Sequence, residues 1–364
     1  MMANITVVGG GVIGLSIAYE CRTRGHETTV VEAHKCGGQA SGAAAGMLAP
    51  YSEIEEDPDD FFRLCQHSLK LFPKWQEEIK QNSEVDFEYC ESGSLYCIYH
   101  EADRLSLETK QAWQRKFNVE STILNADEVR VKEPGLSQDV VAALWCPEES
   151  HIYAPGYVSA LLDACRKLGV RVIENAGEAT FEENNVVVKG QQIESDRVVL
   201  AAGAWSMYWE EALGLTLPIY PIRGQICAYE APSLNHIIFT SQGYLVAKAN
   251  GSVVAGASED IAGFDTAVTE HGVGRLEKWS KQVMPALQQK NPFHKWAGLR
   301  PATQDGFPII GKLDHKPKVI LATGHYRNGI LLSPVTAKIV ADEIDGSVSE
   351  LGLGQFRPDR FQVI

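Results

Sequence analysis

Residues 296–311 read WAGLRPATQDGFPIIG, and they set Arg300 among Gly298, Leu299 and Pro301 with apolar residues on both sides. An arginine is rarely fully buried without a partner, and an unpaired buried guanidinium costs several kcal/mol. Its planar fork of donors suits a carboxylate bidentately. Each such charge-assisted bond contributes roughly 1.5–3 kcal/mol in net terms. A ligand carboxylate and an internal acid, Asp305 for instance, both answer the description. His325 and Asp305 are the nearby titratable groups. Arg223, in PIRGQ, could contact a ligand or close a sheet.

The second set of chemical residues lies at the start. NITVVGGGVIGLSIAYE carries Gly9, Gly11 and Gly14 in the pattern G-x-G-x-x-G, after an apolar run and before a helical one. Glu32 follows about 20 residues later, at the end of the next apolar run. That context makes the pattern a dinucleotide signature rather than a glycine-rich turn. Gly9 allows the tight turn, Gly11 lets backbone approach a pyrophosphate, and Gly14 lets the helix pack close to the strand. The helix start, at Val12 and Ile13, offers free N–H groups and a positive dipole end to phosphates. Glu32 can accept hydrogen bonds from ribose hydroxyls.

Two further stretches bear on which dinucleotide is bound. In CGGQASGAAAGMLAP, Ala43, Ala44, Ala45 and Gly46 have almost no side chains, Ala40, Ser41 and Gly42 precede them, and Met47 and Leu48 add apolar contact. Such a segment permits close approach to something large and flat, or serves as a small-residue helix start packed on the sheet. In ATGHYRNGILLSP, Asn328 and Gly329 open a helix that continues through Ile330 and Leu331. Its N–H groups could favour negative charge on a reduced isoalloxazine, or the pair is an ordinary Asn-Gly cap.

These residues need a scaffold of two interleaved lobes. Apolar runs at 4–8 and in DRVVLAAGAWS read as buried strands, the latter ending in a turn at Ala202 and Gly203, and 28–32 and 318–324 read as further strands. Helices are expected over 12–24, 59–82, with Pro73 as a possible kink, and 329–346. The helix of PGYVSALLDACRKLG is capped by Gly169. Period-2 patterns at 85–100 and 218–257 mark antiparallel strand, with Asn250–Gly251 as a hairpin turn, and a hairpin-like piece turning at Asn184–Asn185 falls in the α/β part. Helices are expected at 101–117 and 269–290. The predicted division is a discontinuous nucleotide-binding domain of 1–84, 147–217 and 295–364, and a substrate-binding domain of 85–146 and 218–294.

Composition narrows the partners. The 364 residues carry a net charge of −14, which argues against nucleic acid or an anionic membrane surface. The acidic stretch EIEEDPDD at 53–60 is expected to be an exposed, solvated loop. Eight cysteines without a C-x-x-C pair read as reduced small hydrophobes of a cytoplasmic protein. The apolar run at 5–19 is too short and too interrupted to span a bilayer, and no cleavable signal is seen. No metal site is expected.

VVGGGVIGLSIAYE, SGAAAGML, WAGLRPATQDGFPIIG and GHYRNGILLSP together resemble the FAD-dependent amino-acid and amine oxidases of the glutathione-reductase-related class, D-amino acid and sarcosine oxidases among them. The likeness runs nearly end to end and is strongest to the glycine-oxidising branch that feeds thiamine biosynthesis. It implies an α/β plus α+β fold: a doubly wound FAD-binding domain with an interleaved antiparallel-sheet substrate domain. It places the substrate-carboxylate arginine at Arg300, a second active-site arginine at Arg327 and the active-site tyrosine at Tyr244. A backbone contact to adenine falls near Glu178. It also implies hydride transfer from Cα of a small amino acid, glycine first, to flavin N5. The imine would be hydrolysed to glyoxylate and ammonia or used for thiazole synthesis, and O2 reduced to hydrogen peroxide. That chemistry needs alignment more than a protein base, so His325 is expected to be a hydrogen-bonded wall residue. The alternatives are a related D-amino acid or sarcosine oxidase, or a dehydrogenase using a non-oxygen acceptor. Some relatives tether the flavin through a C-terminal cysteine or an N-terminal histidine. Here no cysteine follows Cys227 and no histidine lies in 36–52, so the FAD is expected to be noncovalent. The resemblance further implies a homotetramer.

Overall fold

The computed structural model of the chain describes residues 2–54, 58–182, 184–347 and 354–361. Its first sheet has six strands in the spatial order Ile309–Lys312, Val319–Thr323, Arg197–Leu200, Asn4–Val8, Glu27–Val31, Arg171–Ile173. All neighbours are parallel except the first pair. Both faces are covered, which explains the unbroken valine and isoleucine runs. Ile5, Val7, Val30 and Val199 turn to a helical layer, and Val8, Val31, Val198 and Leu200 to the other face. The helical layer comprises Val12–Thr23, Asp60–Asn82, Ala154–Lys167 and Gly329–Asp345. Pro73 sits inside the second of these. The other face packs on a three-stranded antiparallel sheet, Ala179–Glu182, Asn185–Val188 and Gln191–Ile193.

The second large sheet has eight strands, mostly antiparallel. Its longest pair is Ile219–Glu230 with His294–Thr303, in register from Ile219↔Thr303 to Ala228↔His294. Alternation sets its two faces. Cys227 and Tyr229 pack with Val273, Leu276 and Trp279 of the helix Glu270–Val283. Ile226 and Ala228 face the other way, with Ala45, Ala49 and Phe239. The fold is therefore the expected pairing of a doubly wound α/β unit with an antiparallel-rich lobe.

Three expectations differ from what is found. The expected division puts 295–303 with the α/β lobe, but the strand His294–Thr303 is hydrogen-bonded along its length into the eight-stranded sheet. It is the bridge between lobes, because after it the chain returns to the six-stranded sheet at Ile309. The helix expected to reach 290 stops at Val283, where Pro285 begins a single 3-10 turn. A proline lacks the N–H that would continue the ladder. Of the acidic stretch 53–60, residues 55–57 lie outside the described residues. Glu53 is not in an exposed loop: it ends the short helix Pro50–Glu53 and is partly buried.

Candidate active site

A cavity of about 1780 Å³ runs between the two large sheets. That exceeds the roughly 300–1,000 Å³ of an ordinary small-molecule site. One end is built by the glycine turn. Gly9 has φ +109°, and a Cβ there would stand 2.3 Å from the Ala201 carbonyl oxygen. Gly9 N–H donates to the Val31 carbonyl at 2.8 Å. The helix Val12–Thr23 begins with no side-chain cap, although Val12 N–H donates to Ser41 Oγ at 2.9 Å. Glu32 accepts from the Gly10 and His34 N–H groups at 2.7 and 2.9 Å, which holds its carboxylate beside the turn.

Most of the residues singled out from the sequence line this one cavity. Gly9, Gly11, Val12, Ile13 and Glu32 form one end, with Glu178, Ala202 and Gly203. Ala40, Ser41, Ala45, Gly46 and Met47 form a wall, and Asn328, Gly329 and Ile330 bring the start of the last long helix to it. Tyr244, Arg300 and Arg327 line it as well. Gly14, Gly42 and Leu331 do not line it, and Gly14 has the close-packing role expected of it. Gly14 faces Gly9, whose carbonyl oxygen would be 1.9 Å from an added Cβ. Gly42 is needed by its own turn, where Gly37 O would be 2.4 Å from a Cβ. Leu331 points into the core, 2% exposed.

Arg300 comes from the strand His294–Thr303 and leans over Gly224 of the paired strand. Its Nη1 donates to the Ser258 carbonyl at 2.9 Å. Among the described residues no carboxylate oxygen lies within 4.0 Å of its guanidinium. Asp305 is taken by Arg360, at 2.7 Å. Tyr244 projects beside Gly256, where a Cβ would meet its phenol oxygen at 2.3 Å. Burial pushes that phenol above its usual range, while Arg300 pulls it down and Glu53 pushes it up. His325 is buried and shares a 3.1 Å hydrogen bond with Thr336 Oγ1. Burial pushes its imidazole down to about 3, so it is uncharged at working pH. Arg223 is not in the cavity: it ties Asp265 at 2.8 Å and the Ala267 carbonyl at 3.1 Å.

Some cavity residues carry no sequence signal of their own. Glu53 reaches in from the helix Pro50–Glu53. Glu259 accepts from Tyr326 OH at 2.8 Å and lies 3.7 Å from Arg327 Nη1. Tyr326 holds φ +46°, a left-handed conformation uncommon for a bulky residue. An aromatic group at the edge stacks Tyr208 on Phe264 at 5.5 Å, with Trp205 5.3 Å from Phe264. Tyr326 is the sequence neighbour of Arg327, but its partner Glu259 is 67 residues away. Glu53 and Glu259 are brought in by tertiary structure alone.

Comparison with known proteins agrees with this architecture. Residues 4–343 match the DAO family, described as FAD dependent oxidoreductase. The chain is 32% identical over 376 residues to the bifunctional protein ThiO/ThiG of Trichormus variabilis. That alignment takes in all of this chain and 56% of the other, so the chain spans about half the length of such relatives. It is 30% identical to the glycine oxidase of Bacillus licheniformis, with 98% and 97% of the two chains covered. The crystal structure of glycine oxidase from Geobacillus kaustophilus superposes with a TM-score of 0.93 at 29% identity, covering 98% of each chain. Among the described residues no helix is long and apolar enough to cross a membrane. The chain belongs to the DAO family of FAD-dependent oxidoreductases.

Proposed function

We propose that the chain oxidises glycine and other small amino acids, with Arg300 as the carboxylate grip. The observation that carries this is the state of Arg300: a guanidinium in the cavity whose hydrogen-bond partner is one backbone carbonyl. It has donors to spare for a carboxylate fork.

The residues present fit FAD. The uncapped helix start after Gly11 suits a pyrophosphate, and Glu32, already fixed by two backbone donors, suits ribose hydroxyls. Glu178 falls at the adenine side. The small residues 40–46 and the uncapped helix start at Asn328 and Gly329 suit the flat ring system. When bound, FAD would supply the two-electron acceptor for hydride from Cα and the centre that O2 reoxidises. Arg300 orients Cα by holding the carboxylate. Tyr244 adds a hydrogen bond or limits the pocket. The neutral, hydrogen-bonded His325 forms a wall. The balance is glycine, O2 and water in; glyoxylate, ammonia and hydrogen peroxide out, with the imine available for thiazole synthesis. The same reading makes the FAD noncovalent and the enzyme a cytoplasmic homotetramer. Eight free cysteines support a reducing compartment, and light scattering checks the assembly.

The test is anaerobic flavin reduction by glycine, sarcosine and small D-amino acids, with peroxide counted per turnover in air. Arg300→Ala should keep its yellow FAD and lose more than 100-fold in kcat/KM, the equivalent of about 3 kcal/mol. Unchanged steady-state constants would remove Arg300 from the site. Little peroxide with full flavin reduction would point to another electron acceptor.

A further inference from the structure

The helix Gly329–Asp345, whose start lines the cavity at Asn328, Gly329 and Ile330, carries a break close behind that start. Pro334 lies inside it. A proline there has no N–H to give the Ile330 carbonyl, and its ring crowds that carbonyl. The lost bond is replaced. Ser333 Oγ donates to the Ile330 carbonyl at 2.8 Å. Tyr157 OH lies 2.8 Å from Ser333 Oγ, and Trp75 Nε1 donates to Tyr157 OH at 2.7 Å. An indole N–H only donates and a carbonyl only accepts. The chain of bonds therefore runs one way, from Trp75 through Tyr157 and Ser333 to Ile330. A second hydroxyl comes from the helix Asp60–Asn82. Ser68 Oγ donates to the Leu331 carbonyl at 2.5 Å and accepts from Val335 N–H at 3.4 Å. Ser68, Trp75, Tyr157 and Ser333 are all buried, and none of the four lines the cavity.

The first turn of this helix has no side-chain cap, so its N–H groups present partial positive charge to whatever stands in the cavity. A flavin gains negative charge in its pyrimidine ring on reduction. Donors stabilise such charge to the extent that their aim is fixed beforehand. A proline break works against fixed aim, since it kinks a helix. We propose that Ser68 and the Trp75–Tyr157–Ser333 chain are positioning groups, which hold the first turn of the helix Gly329–Asp345 across its proline break and so set how readily the bound flavin accepts electrons. The inference rests on the reading of this helix start as the wall that meets the flavin ring. Hydroxyls in a buried chain polarise one another, which strengthens the hold. Without Ser333 Oγ the Ile330 carbonyl is a buried acceptor whose regular donor is already missing, and it regains a partner only if the turn moves. Without Ser68 Oγ the hydroxyl set against both Leu331 and Val335 is gone. In either case the N–H groups at the helix start lose their aim.

The test uses the FAD-loaded full chain and the variants Ser68→Ala and Ser333→Ala, each of which removes one oxygen atom. Tyr157→Phe keeps the buried ring and breaks the chain one step earlier. Ser280→Ala is the control, because Ser280 is equally buried and bonds Tyr229 OH at 3.1 Å in the other lobe. The first readout is the stretching frequency of the flavin C2=O, assigned by isotopic labelling of that carbon. In the wild type it should lie below the value for flavin in an aprotic solvent. It should rise in both serine variants, rise less in Tyr157→Phe, and stay put in Ser280→Ala. The second readout is the midpoint potential of the bound flavin. Both serine variants should lose at least tenfold in the two-electron reduction equilibrium, about 30 mV, and sulfite should bind more weakly in step. Neither readout needs turnover, so they stand whether or not glycine is the substrate. A wild-type carbonyl at the aprotic frequency would show that the helix start does not meet the ring, and would remove the placement and the proposal together. A lowered wild-type frequency with frequency and potential unchanged in all three variants would keep the placement and overturn the proposal. An equal loss in Ser280→Ala would also overturn it, since any buried hydroxyl would then serve.

Discussion

The Arg300 guanidinium lies across Gly224, its diagonal neighbour on the paired strand. The register sets Arg300 opposite Ile222 and Gly298 opposite Gly224. A Cβ at position 224 would stand 2.5 Å from Cζ and Nη2 and 2.7 Å from Nη1 of Arg300. Diagonal pairs on a sheet face are within reach of long side chains, and here the reach is used because residue 224 has no side chain.

Gly224→Ala should therefore disturb the grip without touching the nucleotide end. The added methyl must push the guanidinium away from the Ser258 carbonyl that it now holds at 2.9 Å. Misplacing a positioning group by about 1 Å can cost on the order of 100-fold in rate. The expected result is normal FAD content and at least a tenfold rise in KM for glycine. Unaltered kinetics would mean that Arg300 adapts freely and that its position over Gly224 is not part of the site.

Much of this was legible in the chain because it is local. The run ITVV, three glycines and Glu32 sit within one strand–helix–strand unit, so their spacing describes their geometry. Asn250–Gly251 sits in the turn joining the strands Gly243–Ala247 and Ser252–Gly256. Arg300 stood out by its apolar company. Glu53 did not, because a run of acids reads as solvated surface. Its place depends on Glu149, distant in sequence, which accepts from the Tyr51 and Ser52 N–H groups at 2.7 and 2.8 Å. Pro50 at the first helical position was the one local hint. Arg223 was ambiguous for the opposite reason: its partners Asp265 and Ala267 belong to a loop more than forty residues away.

Glu32 makes a separable prediction at the nucleotide end. Its two backbone bonds orient the carboxylate and hold the turn at Gly10 together. Glu32→Ala removes both those bonds and the acceptor for ribose. Hydrogen bonds to a charged group are worth about 1.5–3 kcal/mol, so FAD affinity should fall by roughly 10- to 100-fold. FAD retained per chain after gel filtration, and a fluorescence titration of the apoprotein, measure this. At saturating FAD the variant should recover its KM for glycine, since Arg300 is elsewhere. Full FAD retention would show that the ribose contact is made by other groups.

The last prediction concerns the support of Glu53. Glu149 is fully buried, and Ser52 Oγ donates to its Oε2 at 2.6 Å, with Ser94 Oγ beside it. Burial pushes this carboxyl from 4.5 up to about 7, although the hydroxyl and backbone donors pull it down. The folded protein thus keeps a proton that the unfolded chain gives up. Below about pH 4.5 both states are protonated and folding pays no penalty here. As pH rises toward 7 the penalty grows, and above 7 it is complete, at about 3 kcal/mol if each tenfold change in proton affinity is worth about 1.4 kcal/mol. Glu149→Gln keeps an acceptor oxygen for the Tyr51 and Ser52 N–H groups and carries no charge. All other titrating groups are common to both proteins, so the difference in Tm between variant and wild type isolates this one. That difference should move in favour of the variant by at least ~3 °C between pH 5 and pH 8. Parallel Tm profiles over that range would mean that Glu149 stays ionised throughout, with its four donors outweighing burial, and that the helix bearing Glu53 is held by a charged cap instead of a neutral one.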